Sequence, residues 1–310
     1  MIELLTDLVF DYTLRNVALG SAVLGVVGGA LGSFAVLRRQ GLLGDALAHA
    51  ALPGVCVAFI LTGARTSAVL LAGAALSAWL GALLILAVVR QTRIKQDAAL
   101  GIVLSVFFGA GVVLLTYIAG TGDAGQGGLD RFIFGQAATL VRDDVVTMGV
   151  LAAVALFLVA LLFKEFKLLS FDPDFAASLG YPMVKLNVLL TSLIAVAVII
   201  GIQAVGVVLM AAMLITPAAA ARQWTERLSN MIFISGFFGA LSGVTGALIS
   251  ATGANLPTGP LIVLVATGIL VLSLFVGSSR GFVWSWIRDR RNRREALGGA
   301  PAAPGEGGVR

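Results

Sequence analysis

Two residues whose side chains can bind a metal ion lie close together in this 310-residue chain. Asp45 and His49 occur in the segment GLLGDALAHAALPGVCVAF, and His49 is the only histidine. Residues four apart in a helix lie on the same face. A carboxylate and an imidazole together suit a divalent transition metal. The spacing therefore predicts a metal-binding pair on one face of a helix.

The segment that carries this pair is long and apolar enough to cross a membrane. An ionisable group inside a bilayer costs roughly 2.5 kcal/mol or more, so such groups are rare and usually functional. A structural interpretation is open as well, in which Asp45 caps the helix and a neutral His49 bonds to a backbone carbonyl. Because the two side chains share one face of the helix, the metal-binding interpretation is favoured. Cys56 is a conceivable third ligand, but a small buried side chain is the better interpretation.

The composition predicts an all-α, polytopic integral membrane protein with eight or nine transmembrane helices. Hydrophobic residues make up 59% of the chain and charged residues only 12%, whereas a soluble domain has about 25% charged residues. The single cysteine excludes an internal disulfide. Apolar runs near membrane length recur along the chain, and we predict spans at 14–37, 45–62, 66–89, 98–118, 144–163, 186–203, 205–222, 229–252 and 259–277.

The basic residues predict the orientation in a bacterial cytoplasmic membrane. With these spans, 17 of the 21 Lys and Arg residues fall on one side, which is therefore expected to be cytoplasmic together with the C-terminus. This topological role explains the net charge of +5 without a nucleic-acid partner. We expect residues 1–285 to form the transmembrane domain, and within it residues 1–16 to lie along the interface as a short amphipathic helix. The basic tail 286–310 is expected to be disordered.

Two connections are too long to be simple turns, an extracytoplasmic one at 119–143 and a cytoplasmic one at 164–185. The cytoplasmic connection has the signals of a short helix. These signals are Asp172 at the N-cap, Pro173 at the first position, Asp174 in the first turn and Gly180 as the stop.

The short helix has an apolar side. Phe175 and Leu179 are four residues apart and are expected to share one face. An exposed apolar face on a cytoplasmic loop indicates a protein partner.

Four stretches, taken together and in this order, resemble the permease subunit of metal-ion ABC importers, the zinc, manganese and iron group often called the ABC-3 family. They are GSFAVLRRQGLLGDALAHAALPG (32–54), FDPDFAASLG (171–180), AVGVVLMAAMLITPAAAAR (204–222) and LPTGPLIVLVA (256–266). With the spans between them, they cover nearly the whole chain. One departure is Ala48, where the family usually has Ser.

The resemblance implies a homodimeric pore that imports Mn²⁺, Zn²⁺ or Fe²⁺, with Asp45 and His49 at the metal-binding positions. It also implies an extracytoplasmic metal-binding protein and a separate cytoplasmic ATPase, which binds ATP and docks on 171–180. The chain itself is then a transport subunit without a prosthetic group and not an enzyme, and its sequence contains no GxxxxGK[ST] motif. The alternative is a gradient-driven secondary transporter or channel, which would need more intramembrane ionisable residues than this pair.

Overall fold

The structure is a computed structural model that describes residues 11–63, 66–120, 135, 140–252 and 256–277, and every regular element in these ranges is a helix. Eight of the described helices are long and apolar enough to cross a membrane, which confirms the predicted all-α, polytopic fold. The helices are α1 Tyr12–Leu37, α2 Leu43–Thr62, α3 Ser67–Gln91, α4 Gln96–Gly120, α5 Arg142–Leu161, α6 Phe163–Phe171, α7 Pro173–Ser178, α8 Met183–Val205, α9 Val207–Arg222, α10 Leu228–Thr252 and α11 Thr258–Val276.

The seventh predicted span is the short helix α9. It has 16 residues, and at 1.5 Å per residue it extends about 24 Å, less than the hydrocarbon thickness of about 30 Å. Gly206 separates it from α8 with φ 82° and ψ 170°, a backbone conformation that is essentially restricted to glycine. The two helices therefore follow each other with one residue between them, and the count of eight or nine depends on α9 alone.

Helix α1 lies at the centre of the bundle and makes its most extensive contact with α10. Small residues allow the two backbones to touch. A Cβ atom on Gly25 would overlap the backbone of Gly239, and one on Gly29 would overlap the backbone of Ser235. Close approach through small residues is how helices associate in a bilayer. The glycine spacing in this segment thus serves helix packing.

Buried hydroxyl groups connect the same two helices. The Oγ atoms of Ser33 and Ser235 are 2.8 Å apart, and the Ser235 hydroxyl also lies 2.8 Å from the main-chain oxygen of Gly29, to which it can donate. Both serines are fully buried. These bonds satisfy polar groups that would otherwise be costly inside the bundle.

The start of the chain differs in part from the expectation for residues 1–16. Helix α1 begins at Tyr12 and continues without a break to Leu37, so residues 12–16 are the start of the first long helix and not part of a separate short helix. Asp11 is the N-cap and accepts from the backbone N–H groups of Thr13 and Leu14 at 2.7 and 3.0 Å. The first ten residues, most of the connection 119–143 and the tail 286–310 lie outside the described residues.

The packing of α1 on α10 predicts opposite effects for two glycine substitutions. Gly29→Ala places a methyl group against the Ser235 backbone, and such overpacking is expected to cost about 1–3 kcal/mol. Gly149→Ala is the control, since a Cβ there meets nothing within 4 Å and alanine favours a helix over glycine by about 0.5–1 kcal/mol. Thermal unfolding in detergent measures both. An equal midpoint for the two variants would contradict this description of the contact.

Candidate functional site

Asp45 and His49 form a contact pair near the first turn of α2. The Nδ1 atom of His49 lies 3.0 Å from the main-chain oxygen of Asp45 and 3.2 Å from its Oδ1 atom. Asp45 stands in the first turn of the helix, where the helix dipole favours a carboxylate. The side chains are 17% exposed for His49 and 32% for Asp45. The pair is therefore partly covered and opens on the surface of a single chain.

The hydrogen-bond partners determine which imidazole nitrogen is available. Both atoms near Nδ1 of His49 are acceptors, so the neutral ring carries its proton on Nδ1 and keeps the Nε2 lone pair for a ligand. A histidine that binds a metal usually donates its other N–H to a carboxylate or a carbonyl in this way. The arrangement fits a metal ligand at Nε2, oriented by Asp45.

Phe108 of α4 forms another wall of the site. Its ring meets the imidazole of His49 edge to face, with centroids 4.9 Å apart and an interplanar angle of 73°. This aromatic contact restricts the orientation of the imidazole. The sequence contained no signal for Phe108, because the contact depends on how α4 packs against α2.

The described residues contain no group of three or more His, Cys, Asp or Glu side chains that could surround a metal ion. Cys56 is completely buried further along α2 and directs its sulfur toward the carbonyl of Gly111 at 3.8 Å. It is a small buried side chain, as the sequence favoured. Within the described residues, Asp45 and His49 are thus the candidate ligands that one copy of the chain brings together.

Ala48 and Pro53 modify α2 without interrupting it. Ala48 is completely buried, so a serine at this position would place its hydroxyl among packed helices rather than on the partly exposed side of the pair. Pro53 lies inside the helix, which continues to Thr62. Proline lacks an N–H group, so the carbonyl of His49 loses its usual helical donor.

The connection at 164–185 contains the short helix α7, which has the predicted ends. Pro173 is its first residue, and the Oδ1 atom of Asp172 accepts from the N–H of Phe175 at 3.0 Å. At its end, Gly180 has φ 84°. The Gly180 N–H donates to the carbonyl of Ala177 at 3.0 Å, which belongs to a common glycine-terminated helix end.

The apolar surface of this segment is larger than the sequence suggested. Phe175 and Leu179 are 52% and 57% exposed, and Phe171 and Tyr181 beside them are exposed as well. Phe171 ends α6, a helix that was not predicted although Phe166 and Leu169 are buried at helical spacing. An exposed apolar cluster of this kind outside the membrane-spanning helices is typical of a protein-interaction surface.

A polar cavity of about 740 Å³ separates α7 from the turn before α2. Its walls include Arg38 and Gln40 from that turn, and Asp174 from α7. The Nη2 atom of Arg38 donates to Oδ1 of Asn187 on α8 at 2.6 Å. Burial lowers the pKa of Arg38 to about 10, so its guanidinium stays protonated at neutral pH. The cavity thus places α7 next to the segment that leads to Asp45.

Comparisons with known proteins agree with this architecture. The family model of the ABC 3 transport family matches residues 10–277. The chain belongs to this family. It is 49% identical over 281 residues to the zinc transport system membrane protein TroC of Treponema pallidum, covering 91% of this chain and 94% of TroC. Membership makes it a multi-span membrane transport subunit and not itself an enzyme.

Two further proteins are similar. The manganese transport system membrane protein MntC of Bacillus subtilis is 52% identical over 275 residues, which are 89% of this chain but only 63% of that protein. The solved structure of PsaBC from Streptococcus pneumoniae in complex with Fab superposes with a TM-score of 0.79 at 32% identity, covering 94% of this chain and 100% of that chain.

The capping of α7 predicts a local effect of Asp172→Ala. Loss of an N-cap side chain costs typically about 1 kcal/mol, so the N–H of Phe175 is expected to exchange with deuterium about fivefold faster. Asp174→Asn is the matched control, because the cap bond belongs to Asp172. Hydrogen exchange with mass spectrometry of residues 171–182 measures the change. Equal exchange in both variants would mean that the cap does not hold this helix.

Proposed function

We propose that this chain is the membrane-spanning subunit of an ATP-driven importer for Mn²⁺ or Zn²⁺, in which two copies line one metal pathway. The observation that carries this proposal is the Asp45–His49 pair, with Nδ1 of His49 turned to Asp45 and Nε2 left for a ligand. Similar proteins are named for manganese or zinc transport. The same donor set would accept Fe²⁺.

The incomplete donor set is the reason for two copies. A divalent transition metal takes four or more ligands, whereas one described chain brings two candidate side chains together. Asp45 is a third exposed in the single chain, so a second copy can approach it. A symmetric pair then supplies two imidazoles and two carboxylates around one ion.

Basic residues support the orientation of this subunit. The turns on the side of α7 contain most of the Lys and Arg residues, which is typical of the cytoplasmic side. The docking surface around Phe175 then faces the cytoplasm and receives a separate ATPase, since the sequence lacks a P-loop motif. An extracytoplasmic binding protein delivers the metal at the opposite side, and the C-terminus is cytoplasmic.

The elements around the polar cavity beside α7 connect the ATPase docking surface mechanically to the metal pair. Helix α7 and the Arg38–Gln40 turn, which precedes α2, both line this cavity, so a displacement of α7 can be passed to that turn. Arg38 is also tied to α8 through Asn187. Movement at the docking surface can thus change the position of Asp45 through the turn that precedes α2.

Substitutions at the pair test the metal pathway. In proteoliposomes with the ATPase and the binding protein, His49→Ala is expected to abolish Mn²⁺ or Zn²⁺ uptake, because the described part of the chain brings no substitute ligand near this position. Asp45→Asn is expected to weaken transport by about 10–100-fold or more, because it removes a charged candidate ligand as well as the group that orients the imidazole of His49. Cys56→Ala is the matched control on the same helix and should transport normally. Uptake by His49→Ala at the wild-type rate, in an assembled complex, would exclude the pair from the pathway.

The docking surface generates a separate test. Phe175→Asp is expected to weaken binding of the ATPase tenfold or more, because truncating a buried apolar anchor typically costs about 1–3 kcal/mol or more. Ile94→Asp is the control, since Ile94 is an exposed aliphatic residue in another turn on the same side. Pull-down of the ATPase and its stimulated turnover measure the effect. Normal binding by Phe175→Asp would assign the docking surface elsewhere.

A further inference from the structure

A second cavity lies away from the metal pair, in the outer surface of the bundle. It has a volume of about 650 Å³ and is walled by α1, α5 and α10. Its lining is almost entirely apolar, with Ala30 and Val159 at the base and Phe233 and Phe237 along the rim. Phe233 is 78% exposed. We call this cavity the α1–α5–α10 groove.

The length of the groove matches one leaflet of a bilayer. On α10 it extends from Ser229 at the start of the helix to Ala240. Eleven residues at 1.5 Å each span about 16 Å, and half of a hydrocarbon core is about 15 Å. On α5 the lining residues, Leu156 to Phe163, likewise occupy the last part of the helix and the junction with α6. The groove therefore runs from one interface to the middle of the membrane.

The interfacial end of the groove is rich in basic side chains. Phe163 lines that end, and Lys167 is one helical turn further along α6, on the same face. Arg227 precedes the lining residue Ser229 by two positions. Lys164, Lys167 and Arg227 are exposed. Two acidic residues occur in these segments as well: Glu165 buries one carboxylate oxygen inside the protein, and Glu226 is exposed beside Arg227, so the three basic side chains leave a net positive charge.

We propose that the α1–α5–α10 groove binds an anionic phospholipid of the leaflet on the basic side. One acyl chain lies in the groove, and the phosphate is bound by Lys167 and Arg227. The apolar lining, the depth of one leaflet and the positive charge at the interfacial end together match this amphipathic ligand. The proposal is independent of metal transport.

A second copy of the chain is the other possible occupant, and the helices involved argue against it. The metal pair is bordered by Phe108 of α4, and α4 packs against α2 and α3. A copy that completes the metal site must approach on that side. The groove is walled by a different set of helices, α1, α5 and α10.

A photoactivatable phosphatidylglycerol with a diazirine on its acyl chain tests the proposal. The purified chain is placed in nanodiscs of phosphatidylcholine that contain this probe, and the labelled peptides are identified by mass spectrometry. Labelling is expected to concentrate on residues 156–163 and 229–240 rather than on the exposed apolar face of α11, which includes Leu264 and Val271. Ala160→Phe fills the groove and should remove most of this labelling. Val154→Phe, on another exposed face of α5, should not change it.

Neutralising the basic side chains at the interfacial end of the groove tests whether they bind the lipid phosphate. Lys167→Gln and Arg227→Gln are each expected to lower the preference for phosphatidylglycerol over phosphatidylcholine about fivefold, the usual effect of one basic side chain near an anionic lipid. Lys185→Gln, an exposed lysine at the start of α8, is the control. Equal labelling of the groove and the α11 face, or no effect of Ala160→Phe, would overturn the proposal. Disulfide cross-linking between copies through Phe237→Cys would also overturn it, because the groove would then be a protein interface.

Discussion

Backbone contact between α1 and its neighbours determines how the other helices of the bundle pack. Apolar side chains gain little by leaving lipid for a protein interior that is equally apolar, so helix association in a bilayer relies on close packing and hydrogen bonds. Gly25 and Gly29 let α10 touch the backbone of α1, and Gly32 lets the carbonyl of Leu214 on α9 approach. One glycine-rich helix thereby fixes the positions of two others.

The same helix positions the metal pair. After Leu37 the chain turns through Arg39, which has φ 57°, and the N–H of Gln40 bonds back to the carbonyl of Ala35 at 2.8 Å. This left-handed turn is short, and α2 begins at Leu43, so Asp45 follows directly from the end of α1. The path from the bundle core to the candidate site therefore passes through a few residues held by backbone hydrogen bonds, and the polar cavity beside α7 borders this turn.

Most of the fold can be predicted from local features of the sequence, whereas contacts that depend on the packing of one helix against another cannot. Hydropathy located the spans, and Pro173 and Gly180 marked the ends of α7, because these signals act within one helix. The spacing of Asp45 and His49 likewise predicted their contact. Phe108 was missed because its contact with His49 crosses from α4 to α2. Helix α6 was missed although its buried residues have helical spacing, since the cap, proline and glycine signals in this connection mark only the ends of α7.

Because few ionisable groups surround the Asp45–His49 pair, the charge of the ion that the site can hold is limited. Asp45 brings one negative charge, and His49 stays neutral when it offers Nε2. In the proposed symmetric dimer, two carboxylates balance the two positive charges of one divalent ion, so the loaded site carries no net charge. A site that holds a monovalent or trivalent ion would keep a net charge among apolar helices, which is costly in a bilayer. Charge balance thus favours divalent ions as a class, and the two imidazoles favour transition metals over Mg²⁺ or Ca²⁺ within that class.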